Sequence, residues 1–275
     1  MTEQIEAARA KEYSVVGKPL PRIDGFVKAT GQAQFTEDLI LPGMLYGKIL
    51  RSPYPPAKII HIDTSKAEKL RGVEAVITGR DTPGIKYGWL DNMPPDRYPL
   101  AMDKVRFLGD EIAAVAAIDE EVAEEALNLI RVDYELLPAV FDPIEAMKDS
   151  APRIHEDLMV NSELPWEDLG LGPRPRPFKV ENNIAAIYSR SHGDIEQGFK
   201  DANYIREDKF VLPSTAHGAI EPHVVIANFN SSGNLQVWVC NQGYELKRAY
   251  LAATLGIPMS KIRIMKTYVG GAFGG

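Results

Sequence analysis

The sequence has little of what a disulfide-bonded, membrane-spanning or nucleic-acid-binding protein needs. Its 275 residues include one cysteine, Cys240, which excludes an internal disulfide and an iron–sulfur cluster held by cysteines of this chain alone. No apolar run reaches the roughly 20 residues of a transmembrane helix. The net charge of −7 argues against nucleic acid or an anionic membrane as the main partner.

The amino terminus has no hydrophobic stretch of the kind that directs secretion. Residues 1–12 instead contain Glu3, Glu6 and Glu12, so no signal peptide is visible and a cytoplasmic location is predicted. The composition, 45% hydrophobic and 25% charged, is typical of a globular protein of one large domain or two smaller ones.

Glycine is concentrated at the end of the sequence, where residues 269–275 read VGGAFGG. Glycines allow backbone N–H groups to approach a ligand without interference from a Cβ atom, and runs of such groups form concavities for anionic or oxo groups. Two interpretations are open. The segment is either a frayed tail, as termini often are, or the ligand loop of a longer protein.

Hydrophobic patterns predict a mixed α/β unit over residues 24–142, after an extension at residues 1–23. Strands are expected at residues 44–51, 58–62, 73–78, 111–118 and 131–136. Asp119 is predicted to cap a helix whose apolar residues recur at helical spacing up to Ile130.

A proline-rich linker is predicted at residues 143–182 and a second unit at residues 183–275. Asp194 and Gln197 resemble a capping box for a helix up to Ala202. Strands are expected at residues 203–211, 224–229 and 235–240. A helix over residues 245–255 is expected to stop at Gly256 and to precede a strand at residues 262–264.

The order of several short motifs resembles the large subunit of the molybdenum hydroxylases, the family of xanthine dehydrogenase, aldehyde oxidase and carbon monoxide dehydrogenase. The motifs are IDGFVKATG at residues 23–31, GKILRSP at 47–53, VRFLGDEIAAVAA at 105–117, VDYELLP at 132–138, AIEPH at 219–223, NQG at 241–243 and GGAFGG at 270–275. The match covers almost the whole chain. Within the family, some segments are similar to the 4-hydroxybenzoyl-CoA reductase catalytic subunit. Nicotinate dehydrogenase is also similar.

The resemblance implies an α/β hammerhead domain followed by the first, incomplete part of a molybdopterin-binding domain. It places Gln242 beside an oxo ligand of molybdenum. It also implies that the backbone of the glycine loop contacts the ligands of the metal and the pterin, at Gly270, Gly271, Ala272, Phe273 and Gly274. It assigns no catalytic residue and no metal ligand to this chain.

The resemblance also implies cofactors and partners. Molybdenum–molybdopterin, in the cytosine dinucleotide form, is expected to be shared with a complementary C-terminal polypeptide, and FAD and [2Fe–2S] clusters are expected on partner subunits. The implied reaction is oxidative hydroxylation of an aromatic, N-heteroaromatic or aldehyde substrate. Because the base glutamate and substrate loops of the family lie beyond the motifs found here, the chain alone is expected to be inactive.

Two other functions stay open at this point. The chain could be a non-catalytic assembly module that keeps the hammerhead fold. It could instead be a phosphate-binding domain with an unrelated glycine loop, although the loop lacks the Lys-Ser/Thr pair that phosphate loops of nucleotide-binding proteins carry.

Overall fold

The computed structural model describes residues 13–88, 95–156, 159–160, 178–179, 182–184 and 192–274. In the first unit, helices and strands alternate irregularly along the chain. In order these elements are α1 (Gly25–Ala29), β1 (Tyr46–Arg51), β2 (Ala57–Asp63), α2 (Ser65–Glu68), β3 (Val73–Thr78), β4 (Lys104–Val105), β5 (Glu111–Ala117), α3 (Glu120–Leu129), β6 (Arg131–Leu136) and α4 (Pro143–Ala146).

Two antiparallel sheets of three strands form the body of this unit, in the orders β1-β5-β3 and β4-β2-β6. Strand β5 is central to the first sheet, and four of its seven residues are buried, which explains why its sequence is apolar throughout after Glu111. The core lies between the sheets and helix α3, and its buried members include Ala57, Val105, Ile112, Ala113, Val115 and Ala126.

Helix α3 forms where its capping signals predicted it. The Asp119 carboxylate accepts a hydrogen bond from the backbone N–H of Val122 at 2.8 Å, and two glutamates occupy the first turn, where the helix dipole favours negative charge. Ala123 and Ala126 are fully buried. The helix therefore packs closely on the first sheet, with its charged residues facing water.

The second unit is built on one small mixed sheet. Its elements are α5 (Ile195–Asp201), β9 (Val225–Phe229), β10 (Leu235–Val239), α6 (Tyr244–Leu255) and β11 (Ile262–Lys266), and they follow a short strand pair, β7 (Met159–Val160) and β8 (Phe178–Lys179). Strand β10 lies in the middle of the sheet, antiparallel to β9 and parallel to β11. Leu235, Val237 and Ile262 form its buried core.

One predicted strand is wrong. Residues 202–224 contain neither helix nor strand, although the sequence predicts a strand at residues 203–211. Phe210, Val211 and Leu212 are each at least 80% exposed. A strand forms only when a neighbouring strand pairs with its backbone, and the described residues supply none here.

The mixed α/β fold class is confirmed, as are the helix at Asp194 and the end of α6. The Asp194 carboxylate accepts from the N–H of Gln197 at 2.9 Å, and Gly256 adopts the left-handed conformation that favours glycine after a helix. Most of the proline-rich segment lies outside the described residues, and the domain boundaries stay predictions. No helix in the described ranges has both the length and the apolarity of a bilayer span.

Candidate functional site

The predicted site residues lie at one edge of the second sheet. Strands β10 and β11 run parallel and are joined through α6, so their carboxyl ends meet at the same edge, where Val239 is paired with Lys266. Gln242 follows β10 and the glycine loop follows β11. The crevice at the carboxyl ends of parallel strands is the usual ligand position in α/β proteins.

The amino terminus of helix α6 is at the same edge. Gly243 occupies the N-cap position, and its N–H donates to the side-chain oxygen of Asn241 at 3.0 Å. The N–H groups of the first helical turn have no partners within the helix, which leaves partial positive charge there. This end of α6 therefore suits an anionic or oxo ligand.

The glycine loop has a backbone that side chains would disturb. Gly271 has φ +130°, and a Cβ atom on it would lie 3.1 Å from the Cβ of Ala219. Phe273 and Gly274 also have positive φ angles, 51° and 82°. The loop thus packs against the segment that contains Ala219, with its backbone held in conformations that favour glycine.

Glu221 makes a direct contact with this loop. Its Oε2 accepts a hydrogen bond from the N–H of Gly270 at 2.5 Å, and a Cβ atom on Gly270 would lie 2.5 Å from the Cβ of Glu221. In the sequence, Glu221 stands out only as part of the motif at residues 219–223, and the motif gives it no role. A contact across 49 residues leaves no signal in local patterns.

Two buried polar atoms at this edge have no hydrogen-bond partner among the described residues, Glu221 Oε1 and the Tyr244 hydroxyl. Burial raises the pKa of Tyr244 and outweighs the opposite effect of the Asn241 backbone, so its phenol stays protonated and able to donate. Buried polar groups without partners are uncommon in folded proteins and call for an explanation. A ligand with both donors and acceptors would satisfy them.

The residues predicted from the sequence differ in their exposure at this edge. Gln242, Phe273 and Gly274 are exposed, whereas Gly270, Gly271 and Ala272 are half-buried. The structure therefore brings the glutamine and the loop to the same edge of the sheet. Their roles toward a cofactor stay predictions.

The first unit contacts the two residues Thr267 and Tyr268, which lie just before the glycine loop. Thr36, which is fully buried, shares a hydrogen bond of 2.8 Å with Thr267 between the two hydroxyl oxygens. The rings of Phe35 and Tyr268 lie 6.0 Å apart between centroids, and the Lys28 ammonium lies 5.3 Å from the Tyr268 ring. The residues of the second unit that make these contacts, Thr267 and Tyr268, immediately precede the glycine loop. The two units therefore meet next to the candidate site.

A cavity of 1570 Å³ lies between the two units. Its apolar wall comes from the outer face of the first sheet, at Ile49 and Ile77, and from Val237 and Ile264 of the second. Asn241, the neighbour of Gln242, also lines it. The cavity therefore reaches the edge of the sheet on which the glycine loop lies.

His155 lines the polar end of this cavity. Its buried Nδ1 has no hydrogen-bond partner in the described part of the chain. Burial, with the positive charges of Arg106 and Lys86, lowers the pKa of His155 from 6.5 to about 4. Its imidazole is therefore neutral in the folded protein at pH values where an unfolded chain is already protonated.

We expect His155 to make the folded state less stable as the pH falls from 6.5 toward 4. In that window the unfolded chain binds more protons than the folded chain, so the free energy of unfolding decreases with acidity. His155→Gln should flatten this dependence in urea unfolding curves measured between pH 7 and pH 4.5. The exposed His192→Gln is the control, and an unchanged slope in His155→Gln would contradict the assignment.

Two family models match the chain, one for each unit. Residues 30–138 match the aldehyde oxidase and xanthine dehydrogenase a/b hammerhead domain, and residues 177–275 match the molybdopterin cofactor-binding domain. The chain belongs to the xanthine dehydrogenase and aldehyde oxidase family. This confirms the resemblance that the motifs indicated, and with it the order of a hammerhead domain followed by a molybdopterin-binding domain.

The curated relatives of this chain are longer than the chain itself. It is 38% identical to a probable xanthine dehydrogenase subunit of Bacillus subtilis, over 95% of this chain and 32% of the relative. It is 33% identical to the nicotinate dehydrogenase large molybdopterin subunit of Eubacterium barkeri, over 96% of this chain and 56% of the relative. The chain thus spans between about a third and just over half of these relatives.

Solved structures give the same family. The chain superposes on quinoline 2-oxidoreductase from Pseudomonas putida 86 with a TM-score of 0.78 and 27% identity, covering 96% of this chain and 31% of that one. A reconstituted carbon monoxide dehydrogenase from Oligotropha carboxidovorans gives a TM-score of 0.74 at 30% identity, with coverage of 100% and 33%.

Proposed function

We propose that this chain supplies the glycine-loop side of a molybdenum–molybdopterin site in an oxidoreductase that hydroxylates its substrate. The observation that carries the proposal is the edge of the second sheet, where the glycine loop, Gln242 and the start of α6 come together. Each of these features presents N–H donors, and the loop and Gln242 do so without a formal charge.

The residues present fit the molybdopterin group. Its oxo ligand and phosphates are acceptors, which match the backbone amides of the loop and the side-chain amide of Gln242. Its pterin ring carries both donors and acceptors, which match the unpartnered Glu221 Oε1 and the Tyr244 hydroxyl. When bound, the molybdenum would supply two-electron oxidation chemistry, and the chain would bind and orient the group.

The finer identity of the cofactor and partners is part of this proposal. From the motif resemblance we infer the cytosine dinucleotide form, a complementary molybdopterin-binding polypeptide, an iron–sulfur subunit and an FAD subunit. Relatives named as subunits or large chains of dehydrogenases support an assembly of several chains. Exposed apolar residues on the second unit, among them Phe210, Leu212 and Ile220, support an interface with such a polypeptide. A cytoplasmic location remains a prediction of the sequence.

The substrate class is inferred from the names of relatives. Nicotinate and quinoline, which appear in the names of two relatives, are N-heteroaromatic molecules, and we propose a substrate of that class. An aldehyde or another aromatic compound is the runner-up. A non-catalytic assembly module is the competing function, since it would use the same exposed apolar surface and need no cofactor.

Cofactor analysis of the assembled complex tests the proposal. The chain, purified with its partner subunits from cells grown with molybdate, should contain molybdenum and a pterin in equal amounts, and acid hydrolysis should release CMP. The same complex from cells grown with tungstate should lose the molybdenum and the oxidation of N-heteroaromatic substrates. A complex that assembles in full but contains no pterin would favour the assembly module.

A further inference from the structure

The contact between Glu221 and the glycine loop is part of the geometry that defines the site. The Gly270 N–H donates to Oε2 at 2.5 Å, and the space that a side chain at position 270 would need is filled by Glu221 itself. Ala219, two residues earlier, packs against Gly271. One short segment therefore fixes both of the first two glycines of the loop.

Burying this carboxylate destabilises the folded state unless another interaction compensates for the loss of water. Its Oε1 is buried and has no partner among the described residues, and an unsatisfied buried oxygen destabilises a fold. The remainder of the segment is exposed on either side, since Ile220 is 95% exposed and Pro222 and His223 are exposed as well. Glu221 therefore turns inward toward the loop, while its neighbours face outward.

We propose that Glu221 is the positioning residue of the cofactor loop. It holds the Gly270 amide through Oε2 and sets the backbone of the loop before the cofactor binds. The inference rests on the proposed function for its link to molybdopterin, while the effect on the loop can be measured without any cofactor. Glu221 acts through the backbone of Gly270, not on the substrate.

Hydrogen exchange on the full chain tests the effect on the loop. Glu221→Ala should raise the exchange rate of the Gly270 amide by roughly tenfold, since it loses its hydrogen bond. Glu221→Gln keeps a carbonyl acceptor and should restore slow exchange. Glu207→Ala removes an exposed acid from the same extended region and should leave the loop unchanged. Slow exchange in Glu221→Ala, or fast exchange across all of β10 and β11, would overturn the proposal.

Molybdenum and pterin content of the purified complex tests the link to the cofactor. Glu221→Ala should retain less than about half of the wild-type content, and Glu221→Gln should retain nearly all of it. A loosened loop with full cofactor content would overturn the positioning role. If the wild-type complex contains no cofactor, the proposed function is wrong. The exchange rates alone then decide whether Glu221 fixes the backbone conformation of the loop.

Discussion

Gln242→Ala is expected to lower turnover about a hundredfold in the assembled enzyme, because losing one donor aimed at a group whose charge shifts during reaction costs about 3 kcal/mol. The side chain is exposed at the carboxyl edge of β10 and supports no described part of the fold. Molybdenum and pterin content should therefore stay near wild-type. The measurement is steady-state turnover per bound molybdenum.

Gln242→Glu should be worse than Gln242→Ala, since it places a carboxylate where an amide donor is needed beside electron-rich oxo ligands. Gln197→Ala is the matched control, because Gln197 is an exposed glutamine on α5. Wild-type turnover in both Gln242 variants would show that this residue is not part of the site. The glycine loop would then remain assigned to the site.

Gly270→Ala is expected to abolish nearly all activity and most cofactor binding. The new Cβ would lie 2.5 Å from the Cβ of Glu221 and 3.2 Å from its Oε2, so the loop or the Ala219–Glu221 segment must move. A displacement of about 1 Å at a reacting centre can cost on the order of a hundredfold in rate. Molybdenum content and turnover of the purified complex are the measurements.

Gly198→Ala is the matched control for this glycine substitution. Gly198 lies in α5 with no atom within 4 Å of an added Cβ, and alanine favours helix over glycine. It should leave cofactor content unchanged and slightly raise stability. Full cofactor content in Gly270→Ala would show that the loop tolerates a side chain there, and the close packing against Glu221 would then have no functional consequence.

Elements with local signals could be predicted from the sequence. Asp119 and Asp194 mark the starts of α3 and α5, because a helix cap needs only a carboxylate and the backbone N–H three residues later. Gly256 marks the end of α6, because glycine readily adopts the left-handed conformation that ends a helix. The position of Gln242 and the glycine loop at one edge follows from the parallel pairing of β10 and β11.

Features that depend on distant residues could not be predicted. Residues 203–211 contain aromatic and β-branched residues typical of a strand, but composition does not supply a partner strand, and the described structure contains none for them. The contact of Glu221 with the glycine loop joins residues 49 positions apart in the chain. The pairing of Thr36 with Thr267 spans 231 residues and has no sequence signature.

That threonine pair has a consequence for the order in which the protein is made. Thr36 leaves the ribosome 231 residues before Thr267, which at about 5–20 residues per second is an interval of roughly 10 to 50 seconds. The hammerhead core can fold in that time, because all its strands precede residue 137. The glycine loop emerges after that core, next to a surface that is already folded, and Thr36 and Phe35 are in place to contact the residues before it.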